Sequence, residues 1–580
     1  MWKTIRGRRP WVLLLLVGVS LLERADVASF LPSAVVLITF DAARRDVFPH
    51  ACGGTMPDDL MPGLARFCQT ATVFTHAVAP GPGTWLGIPS LYTGLDPVHH
   101  QVRVPPLLSP GVVTLAEVFT SRGYHTAVIS GNPGQFAPET LVPQGFRIVD
   151  LRIPSNLRIR RPARTFSPKA PLWDPETLAT VAAVRIRTLC PFCFIHVHFA
   201  QPHDPYGAPP EIVHAVAKRL GVRLDDRILR MQRGIMTVPL VRKLRGRRIP
   251  YDRLSPDQYA TIRTLYISGL VWADRAFRRL LSAVQDRTDW ARTIVVVAAD
   301  HGESLGEHGF WGHGETVYEP EVRIPFVLKA PFVPPGRREE WVSLVDVFCT
   351  LVRAIRAPDW IRPPGSVCID ARPMRRRWVI SDAYHMQALY FEQYKLVYRR
   401  SSQEAQLFDI AADPSESHDI LPYHYRLGKT MFATLIAYRR LRMRPELPVG
   451  TLTWSADADW LEALRALGYT QVRRRMRVPR FRMVPQRLDP DSVRFRWVWI
   501  PRERDGVLRI HNMGPAAWPG RADPQTAGGV TITCEVRNGP RWQLWRYVLR
   551  EDLPPGGVVV QTLPNVQAVR NCRWSQHDGT

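Results

Sequence analysis

Short, mostly apolar runs alternate with amphipathic stretches over residues 31–470 of the 580-residue chain. The runs 35–40 (VVLITF), 194–199 (FIHVHF) and 294–299 (IVVVAA) are brief and rich in β-branched or aromatic residues. Such runs are typical of strands buried on both faces, as in a parallel sheet covered by helices. A long helical period over 258–286 leads into the last of them. The pattern predicts an α/β fold with a mostly parallel central sheet and helices on both faces.

The pattern changes towards the end of the chain. Residues 378–412 predict an antiparallel, β-rich tail to the sheet, and residues 425–470 return to helical periodicity. Residues 471–489 are basic and interrupted by prolines, which is typical of a linker. From 490 to 580, short alternating segments such as VRFRWVWI and GVTITCEV are separated by Gly/Pro turns. These segments predict a small C-terminal all-β domain that resembles a sandwich.

The first 29 residues have the organisation of an export signal. Basic residues come first, an apolar run follows at 11–22, and small residues come next. The run is too short to span a bilayer comfortably, as in a secretory signal peptide. We therefore expect an exported protein that is periplasmic, secreted or anchored by an uncleaved N-terminal segment.

The formal net charge is +25 at pH 7, and arginine supplies most of the excess. A basic balance favours polyanionic partners such as nucleic acid, an anionic membrane surface or an acidic polysaccharide. No nucleic-acid-binding motif accompanies the charge, so we predict no nucleic-acid partner, and contact with a membrane surface stays an expectation. A solvated, arginine-rich surface is favoured over a dedicated nucleic-acid site.

The eight cysteines permit disulfides in an oxidising compartment, although their pairing cannot be read from the sequence. Cys190 and Cys193 form a Cys-x-x-Cys motif that follows a predicted helix and precedes a predicted strand. Redox dithiols sit in the reverse order, with the reactive thiolate at a helix N-terminus. We therefore interpret this motif as structural.

Two of the predicted strands are followed directly by residues of types that bind metals. The run 35–40 ends at Asp41, and the run 294–299 ends at Asp300 and His301. In open α/β sheets, ligands bind beyond the carboxyl ends of the strands, and carboxylates and imidazoles both bind divalent cations. The two strands together predict a metal site at one sheet edge. The alternative is that Asp300 caps the next helix and the nearby histidines are solvated.

A Gly/Pro-rich turn within residues 80–94 (PGPGTWLGIPSLYTG) is expected to expose Thr84 just ahead of a predicted helix start. A helix N-terminus favours anions through its free N–H groups and its dipole. The turn therefore places Thr84 beside a predicted anion-binding position.

These segments and several others occur together in the order of a known family. The chain resembles the sulfatase-like branch of the alkaline phosphatase superfamily over most of residues 31–470. The matching segments are VVLITFDAARRD (35–46), TWLGIPSLYTGLDPVHH (84–100), HFAQPHDPY (198–206), ADHGESLGEHGFWGHGE (299–315), RIPFVLKAP (323–331), SLVDVFCTL (343–351), YKLVYRR (394–400), LFDIAADPSESHDIL (407–421) and LRALGY (464–469). The resemblance implies the α/β fold predicted above and an enzyme acting on phosphoric or sulfuric esters.

The resemblance places the family's nucleophile at Thr84. True sulfatases carry Cys or Ser there, within a C/S-x-P-x-R motif whose first residue is oxidised to formylglycine. In this chain Leu86 replaces the proline and Ile88 replaces the arginine, so the maturation signal is absent. The chain is thus similar to members that use an unmodified threonine, which include phosphotransferases and phosphodiesterases of cell envelopes.

The resemblance also implies a cup of metal ligands. The implied ligands are Asp41, Thr84, Asp300 and His301. These donors suit one divalent ion, Mn²⁺, Zn²⁺ or Mg²⁺, with Ca²⁺ as a further option. Many members supply a second carboxylate right after the first, whereas Ala42 stands there in this chain, which indicates a single ion. Such an ion would activate the Thr84 hydroxyl and offset charge on the transferred group.

Five further residues match family positions near the substrate. His203 and His313 match positions that contact the substrate, and we expect one of them to protonate the leaving group. Lys329, His100 and Arg45 fit positions assigned to substrate binding. Of these, His100 and Arg45 are expected to support the site rather than act in it, and Lys329 could equally be a solvated strand end.

The sequence predicts a metal-dependent hydrolase of phosphoric or sulfuric esters that acts outside the cytoplasm. Its substrate is expected to be an anionic ester, with an envelope lipid or polysaccharide among the candidates. One alternative is an envelope phosphotransferase of the same fold, and another is a non-catalytic relative that binds anionic polymers. The complete set of implied metal ligands favours an enzyme, because a decayed site would be expected to lose one. The oligomeric state is left open.

Overall fold

The computed structural model is organised around one eight-stranded sheet. It describes residues 31–151, 174–233 and 254–442, except 104–105, 110, 359–362, 364 and 375–377, together with the strands between 493 and 576. The predictions for 1–29 and 471–489 lie outside the described residues. Within the described part of the chain, none of the helices has the length and apolar character needed to cross a membrane.

The central sheet is mostly parallel. Its strands are β1 (Ala34–Phe40), β2 (Thr72–Val78), β3 (His125–Ser130), β4 (Ile148–Leu151), β5 (Cys193–Phe199), β6 (Thr293–Ala299), β7 (Phe326–Lys329) and β8 (Gly336–Ser343). Their spatial order is β8-β2-β7-β6-β1-β5-β3-β4. β7 runs antiparallel to both of its neighbours, and the other neighbouring pairs are parallel. This arrangement confirms the predicted fold class.

The register of the three middle strands places two acidic residues side by side. Every residue of β1, β5 and β6 is buried, as their apolar sequences predict. Phe40, the last residue of β1, pairs with Phe199 on one side and with Ala299 on the other. The three strands therefore end at the same level, and Asp41 and Asp300 emerge together at one edge of the sheet.

Helices pack in two groups around the sheet. The longer ones are α1 (Pro62–Gln69), α2 (Thr84–Thr93), α3 (Leu115–Ser121), α4 (Pro175–Leu189), α5 (Pro210–Leu220), α6 (Asp226–Arg233), α7 (Pro256–Arg287), α8 (Val345–Ala354) and α9 (Tyr425–Arg442). Single helical turns lie at Pro97–His100, Pro133–Phe136 and Glu319–Val322. α7 packs against α1, α4 and α5, whereas α8 packs against α2 and α3. The long α7 begins at a capping box of Ser255 and Gln258, which satisfies its first backbone N–H groups.

Antiparallel strands follow the main sheet. β9 (Val379–Asp382), β10 (Met386–Phe391), β11 (Tyr394–Arg399) and β12 (Glu404–Asp409) form a four-stranded antiparallel sheet. Buried leucines of these strands pack against Met431 and Leu435 of α9. The prediction for 378–412 is therefore confirmed. The helix predicted over 425–470 is observed as far as Arg442, and its remainder lies outside the described residues.

The C-terminal part of the chain is built from strands, as predicted from residue 490 onward. They are Val493–Ile500, Asp505–Asn512, Val530–Asn538, Arg541–Val548, Val558–Pro564 and Ala568–Gln576. These strands pair into two three-stranded antiparallel sheets.

Disulfides link neighbouring elements of the α/β part. Among the described residues they join Cys52 to Cys68, Cys190 to Cys193, and Cys349 to Cys368. The bridge between Cys190 and Cys193 connects the end of α4 to the first residue of β5. It therefore lies at the opposite end of the central sheet from Asp41, away from the candidate chemistry.

Candidate active site

Three side chains that follow β1 and β6 converge at one edge of the sheet. Asp41, Asp300 and His301 are buried, and one ligand atom from each lies within 4.8 Å of the others. His301 Nε2 is 3.3 Å from Asp41 Oδ1 and 3.7 Å from Asp300 Oδ2. The level strand ends thus bring two carboxylates and one imidazole together.

Thr84 adds a hydroxyl to this cluster from the helix side. It is the first residue of α2 and is fully buried, so the expectation that the turn exposes it ahead of the helix was wrong. Its Oγ1 lies 3.3 Å from Asp41 Oδ1 and 3.2 Å from His301 Nε2. Because Thr84 is at the N-terminus of a helix, the free backbone N–H groups and the helix dipole around it favour negative charge. A weakly acidic hydroxyl is therefore placed where an anionic group would also bind.

Gly87 allows α2 to approach the strand ends. A Cβ at this position would lie 2.3 Å from the carbonyl oxygen of Asp300, closer than real Cβ atoms come to backbone. The absence of a side chain at Gly87 therefore lets the first turn of the helix rest against the residue that follows β6. This contact fixes Thr84 beside the two carboxylates.

The polar groups of the cluster fit a divalent cation. Asp300 Oδ1 accepts backbone N–H groups from Ala42 and His301, whereas its buried Oδ2 has no hydrogen-bond partner among the described residues. Burial raises the pKa of Asp300. The pKa of Asp41 is held well below its usual value, because the neighbouring histidines outweigh the effect of its burial. Two carboxylates, an imidazole and a hydroxyl suit a hard or borderline divalent cation, which would satisfy the unpartnered oxygen.

Asp41 has two further partners that were not identified from the sequence. Its Oδ2 accepts hydrogen bonds from His198 Nε2 at 3.2 Å and from Asn132 Nδ2 at 3.1 Å. His198 lies inside the buried strand β5, and Asn132 follows the end of β3. The available signal was the segment FIHVHF, in which two histidines share one face of a buried strand.

The two histidines predicted to be catalytic lie against this cluster. The ring centre of His313 is 4.4 Å from that of His301 and 4.8 Å from that of His203. His313 Nδ1 is 3.2 Å from Oε2 of Glu303, a fully buried residue that was not assigned from the sequence. Because a carboxylate accepts, His313 donates through Nδ1 and is oriented by Glu303.

His203 is placed to carry a second proton. Its Nδ1 donates to the carbonyl of Asp204 at 2.5 Å, so any further proton must reside on Nε2. Burial lowers the pKa of His203, but the negative charges of Asp41 and Glu303 outweigh it and raise the pKa above its ordinary value. The electrostatics therefore favour a protonated imidazole beside the cluster.

Lys329 does not lie at this site, which corrects its predicted role in substrate binding. β7 runs antiparallel to β6, and Lys329 pairs with Val295. Its Nζ donates to the carbonyl oxygen of Thr293 at 2.9 Å and to that of Trp290. Five residues of strand separate Val295 from Asp300, about 16 Å at the usual rise. Lys329 thus faces the opposite edge of the sheet.

His100 lies behind α2, in the supporting position that was expected. It is buried, its Nδ1 accepts from the backbone N–H of Val102 at 3.1 Å, and its Nε2 is 3.1 Å from Ser90 Oγ. Burial lowers the pKa of His100 to about 3, so the ring is neutral. These contacts hold His100 against α2, and its assignment to substrate binding stays a prediction.

Arg44, rather than Arg45, turns towards the loop that follows β6. Arg44 Nη1 donates to the carbonyl of Glu303 at 3.2 Å and to the carboxylate of Glu307 at 2.6 Å. The backbone N–H of Arg45 donates to the carbonyl of Arg323 at 3.1 Å. Burial and the charge of Arg323 lower the pKa of Arg45 to about 10. The backbone of Arg45 therefore supports a neighbouring turn, and its assignment to substrate binding stays a prediction.

Known proteins have sequences that are similar to parts of this chain. A family model described as Sulfatase matches residues 33–356. Choline-sulfatase of Rhizobium meliloti (strain 1021) is 24% identical over 270 residues, which cover 43% of this chain and 50% of that protein. Iduronate 2-sulfatase of Homo sapiens is 33% identical over 128 residues, 18% of this chain and 23% of that protein. The chain thus spans half the length, or less, of these curated relatives.

Solved structures show the same fold. The phosphonate monoester hydrolases of Agrobacterium radiobacter and Silicibacter pomeroyi are each 17% identical, with TM-scores of 0.54 and 0.55. Each comparison covers 71% of this chain and 96% of the other chain. At this identity the likeness is one of fold alone. The family model and both curated relatives are sulfatases by name, so the sequence comparisons do not favour the phosphotransferase or polymer-binding alternatives.

Proposed function

Because this chain belongs to the sulfatase family, we propose that it is a metal-dependent hydrolase of anionic esters with Thr84 as its nucleophile. The observation that supports this proposal is the place of the Thr84 hydroxyl, 3.2 Å from His301 Nε2 and 3.3 Å from Asp41 Oδ1. Leu86 and Ile88 stand where the formylglycine motif needs proline and arginine, so residue 84 is expected to act as threonine.

The proposed reaction has two steps. The Thr84 hydroxyl is a poor nucleophile at its ordinary pKa and needs activation. A divalent cation held by Asp41, Asp300 and His301 would lower that pKa and offset charge on the transferred group when bound. Thr84 Oγ1 attacks the central atom of the ester, the alcohol leaves, and water then hydrolyses the threonine ester. The start of α2 stabilises the anionic group throughout.

His203 is proposed to protonate the leaving alcohol. Its Nδ1–H is committed to the carbonyl of Asp204, and the charges around it favour a proton on Nε2. His313, which is held by Glu303, is proposed to donate to the oxygens of the transferred group instead.

His203→Gln should slow the enzyme by an amount that depends on the leaving group. With an alkyl ester we expect a loss of about 10²–10⁴-fold, because a poor leaving group needs the proton. With a p-nitrophenyl ester the loss should be small, since that alcohol leaves as an anion. His313→Gln should instead slow both esters by similar factors. Equal losses for both esters in the His203→Gln enzyme would contradict the proposed role.

Phosphoric esters are proposed to be better substrates than sulfuric esters. A formylglycine hydrate expels sulfate through its second hydroxyl, whereas threonine has only one and would be trapped as a stable sulfate ester. A panel of aryl phosphate monoesters, diesters and sulfates with one leaving group, assayed with added Mn²⁺ or Zn²⁺, tests this. The phosphorus esters should turn over faster. Faster turnover of the sulfate would show that the reaction class is wrong.

We further propose that the protein works outside the cytoplasm on an anionic envelope lipid or polysaccharide. The disulfides described above support export, because such bridges persist in oxidising compartments. The net charge of +25 supports an anionic substrate, since a basic surface raises its local concentration.

A further inference from the structure

A line of buried polar side chains leads away from Asp41, and the proposed reaction uses none of its members. His198 Nε2 is 3.2 Å from Asp41 Oδ2, and His198 Nδ1 is 2.7 Å from Thr39 Oγ1. The same Oγ1 is 2.8 Å from His196 Nε2, and His196 Nδ1 is 2.5 Å from Tyr92 Oη. Thr39 is 1% exposed, and the two histidines and Tyr92 are 0% exposed. We name these four residues the hydrogen-bond array.

With neutral imidazoles, only one placement of hydrogens satisfies the whole array. Asp41 can only accept, so His198 must donate to it through Nε2 and accept at Nδ1. The Thr39 hydroxyl must then donate to His198 and accept from His196 Nε2. His196 Nδ1 is left to accept from the Tyr92 hydroxyl. Burial lowers the pKa of His196 and raises that of Tyr92, which keeps the imidazole neutral and the phenol protonated.

We propose that the hydrogen-bond array is a positioning device that fixes the tautomer of His198 and so holds Asp41 ready to bind the divalent cation. In the other tautomer, His198 would turn a lone pair towards the carboxylate and repel it. Partners of this kind fix ligand orientation in metal sites and strongly affect affinity. The inference rests on the proposed metal site, but its test separates the two.

The array also connects the elements that carry the site. Tyr92 belongs to α2, whose first residue is Thr84, while Thr39 belongs to β1, whose end carries Asp41. His198 and His196 come from the neighbouring strand β5. The array therefore fixes the helix of the proposed nucleophile to the strand of the metal ligand, through residues that are at most 1% exposed.

Substitution at Thr39 tests the array. Thr39→Val removes the hydroxyl at nearly constant side-chain volume. It should raise the Kd for Mn²⁺ by about 10–100-fold in calorimetric titration of the full chain. Thr39→Ser keeps the hydroxyl and should restore binding. Thr72→Val is the matched control, because Thr72 is equally buried but donates to Pro334 at the far end of β2. Thermal unfolding of the metal-free proteins shows whether each variant folds.

A second variant tests whether the members act together. Tyr92→Phe removes the first donor and should also weaken Mn²⁺ binding. Combined with Thr39→Val, it should add nothing further, because the array is already interrupted. Independent structural effects would instead multiply the two losses in affinity, and that result would overturn the array.

The outcomes also distinguish the array from the metal site itself. Wild-type protein that binds no Mn²⁺ would overturn the proposed metal site. If the wild type binds Mn²⁺ and Thr39→Val binds it with the same Kd, only the array is overturned. If Thr39→Val does not fold, Tyr92→Phe takes its place in this comparison.

Discussion

Thr84→Ala should lose nearly all turnover, on the order of 10⁴-fold or more in kcat, as for other enzymes that lose their nucleophile. The change removes the hydroxyl oxygen that lies 3.3 Å from Asp41 Oδ1 and 3.2 Å from His301 Nε2 at the start of α2. Thr84→Ser should keep part of the activity, because the hydroxyl survives but loses the methyl group that restricts its rotamers. Steady-state kinetics with one aryl phosphate measure both variants.

Two controls separate this loss from a general effect. Thr72→Ala removes a buried threonine hydroxyl at the opposite end of the sheet, and its turnover should match the wild type. Protein made with or without a formylglycine-generating enzyme should have the same specific activity, because residue 84 cannot be matured. Wild-type turnover by Thr84→Ala would show that another group is the nucleophile.

Removal of the metal should abolish turnover, and addition of Mn²⁺ or Zn²⁺ should restore it. Asp300→Ala should lose the ion, because it deletes the buried Oδ2 that has no hydrogen-bond partner among the described residues. Asp300→Asn keeps an oxygen for the N–H groups of Ala42 and His301 but loses the charge, so intermediate metal affinity is expected. Elemental analysis and activity in a metal titration measure both properties.

A remote carboxylate supplies the control for this experiment. Asp274 is buried on α7 and accepts the backbone N–H groups of Gly63 and Leu64. The Asp274→Asn protein should still bind the metal, and its turnover should still depend on the metal, whatever the substitution does to the stability of the fold. Full turnover in excess chelator, from wild-type protein in which elemental analysis finds no metal, would contradict the proposed chemistry.

The position of the candidate site could be predicted because two independent patterns agree. A strand buried on both faces shows as an apolar run, and the residue after the run marks the carboxyl end of the strand. Parallel strands bring these ends to one edge, as β1 and β6 do with Asp41 and Asp300. The sequence could not show that the ends are level, which depends on the register.

The direction of β7 explains the error at Lys329. The apolar run of β7 shows where the strand ends, just as the runs of β1 and β6 do. A short apolar run carries no information on the direction of the strand in the sheet. Because β7 is antiparallel to β6, its carboxyl end lies at the edge opposite to Asp300. Arg44 and Arg45 illustrate a related limit, since adjacent side chains leave a turn in different directions that only its backbone determines.

Polar residues inside buried strands were the least predictable part. The sequence predicts that His198 in β5 and Thr39 in β1 are core positions. Their role depends on which side chains of neighbouring strands come into contact. The alternation in FIHVHF was the only local sign. Buried polar groups require partners, so a histidine pair in a core strand indicates a hydrogen-bonded network before its members are known.

The most direct test of Thr84 as nucleophile is mass spectrometry of the enzyme quenched with acid during turnover of an aryl phosphate. The peptide that contains residue 84 should carry one added phosphoryl group on an otherwise unmodified threonine, with no aldehyde. The adduct should be absent in Thr84→Ala and in metal-free protein. A turning-over enzyme with an aldehyde at residue 84, or with its phosphoryl group on a different peptide, would contradict the proposal.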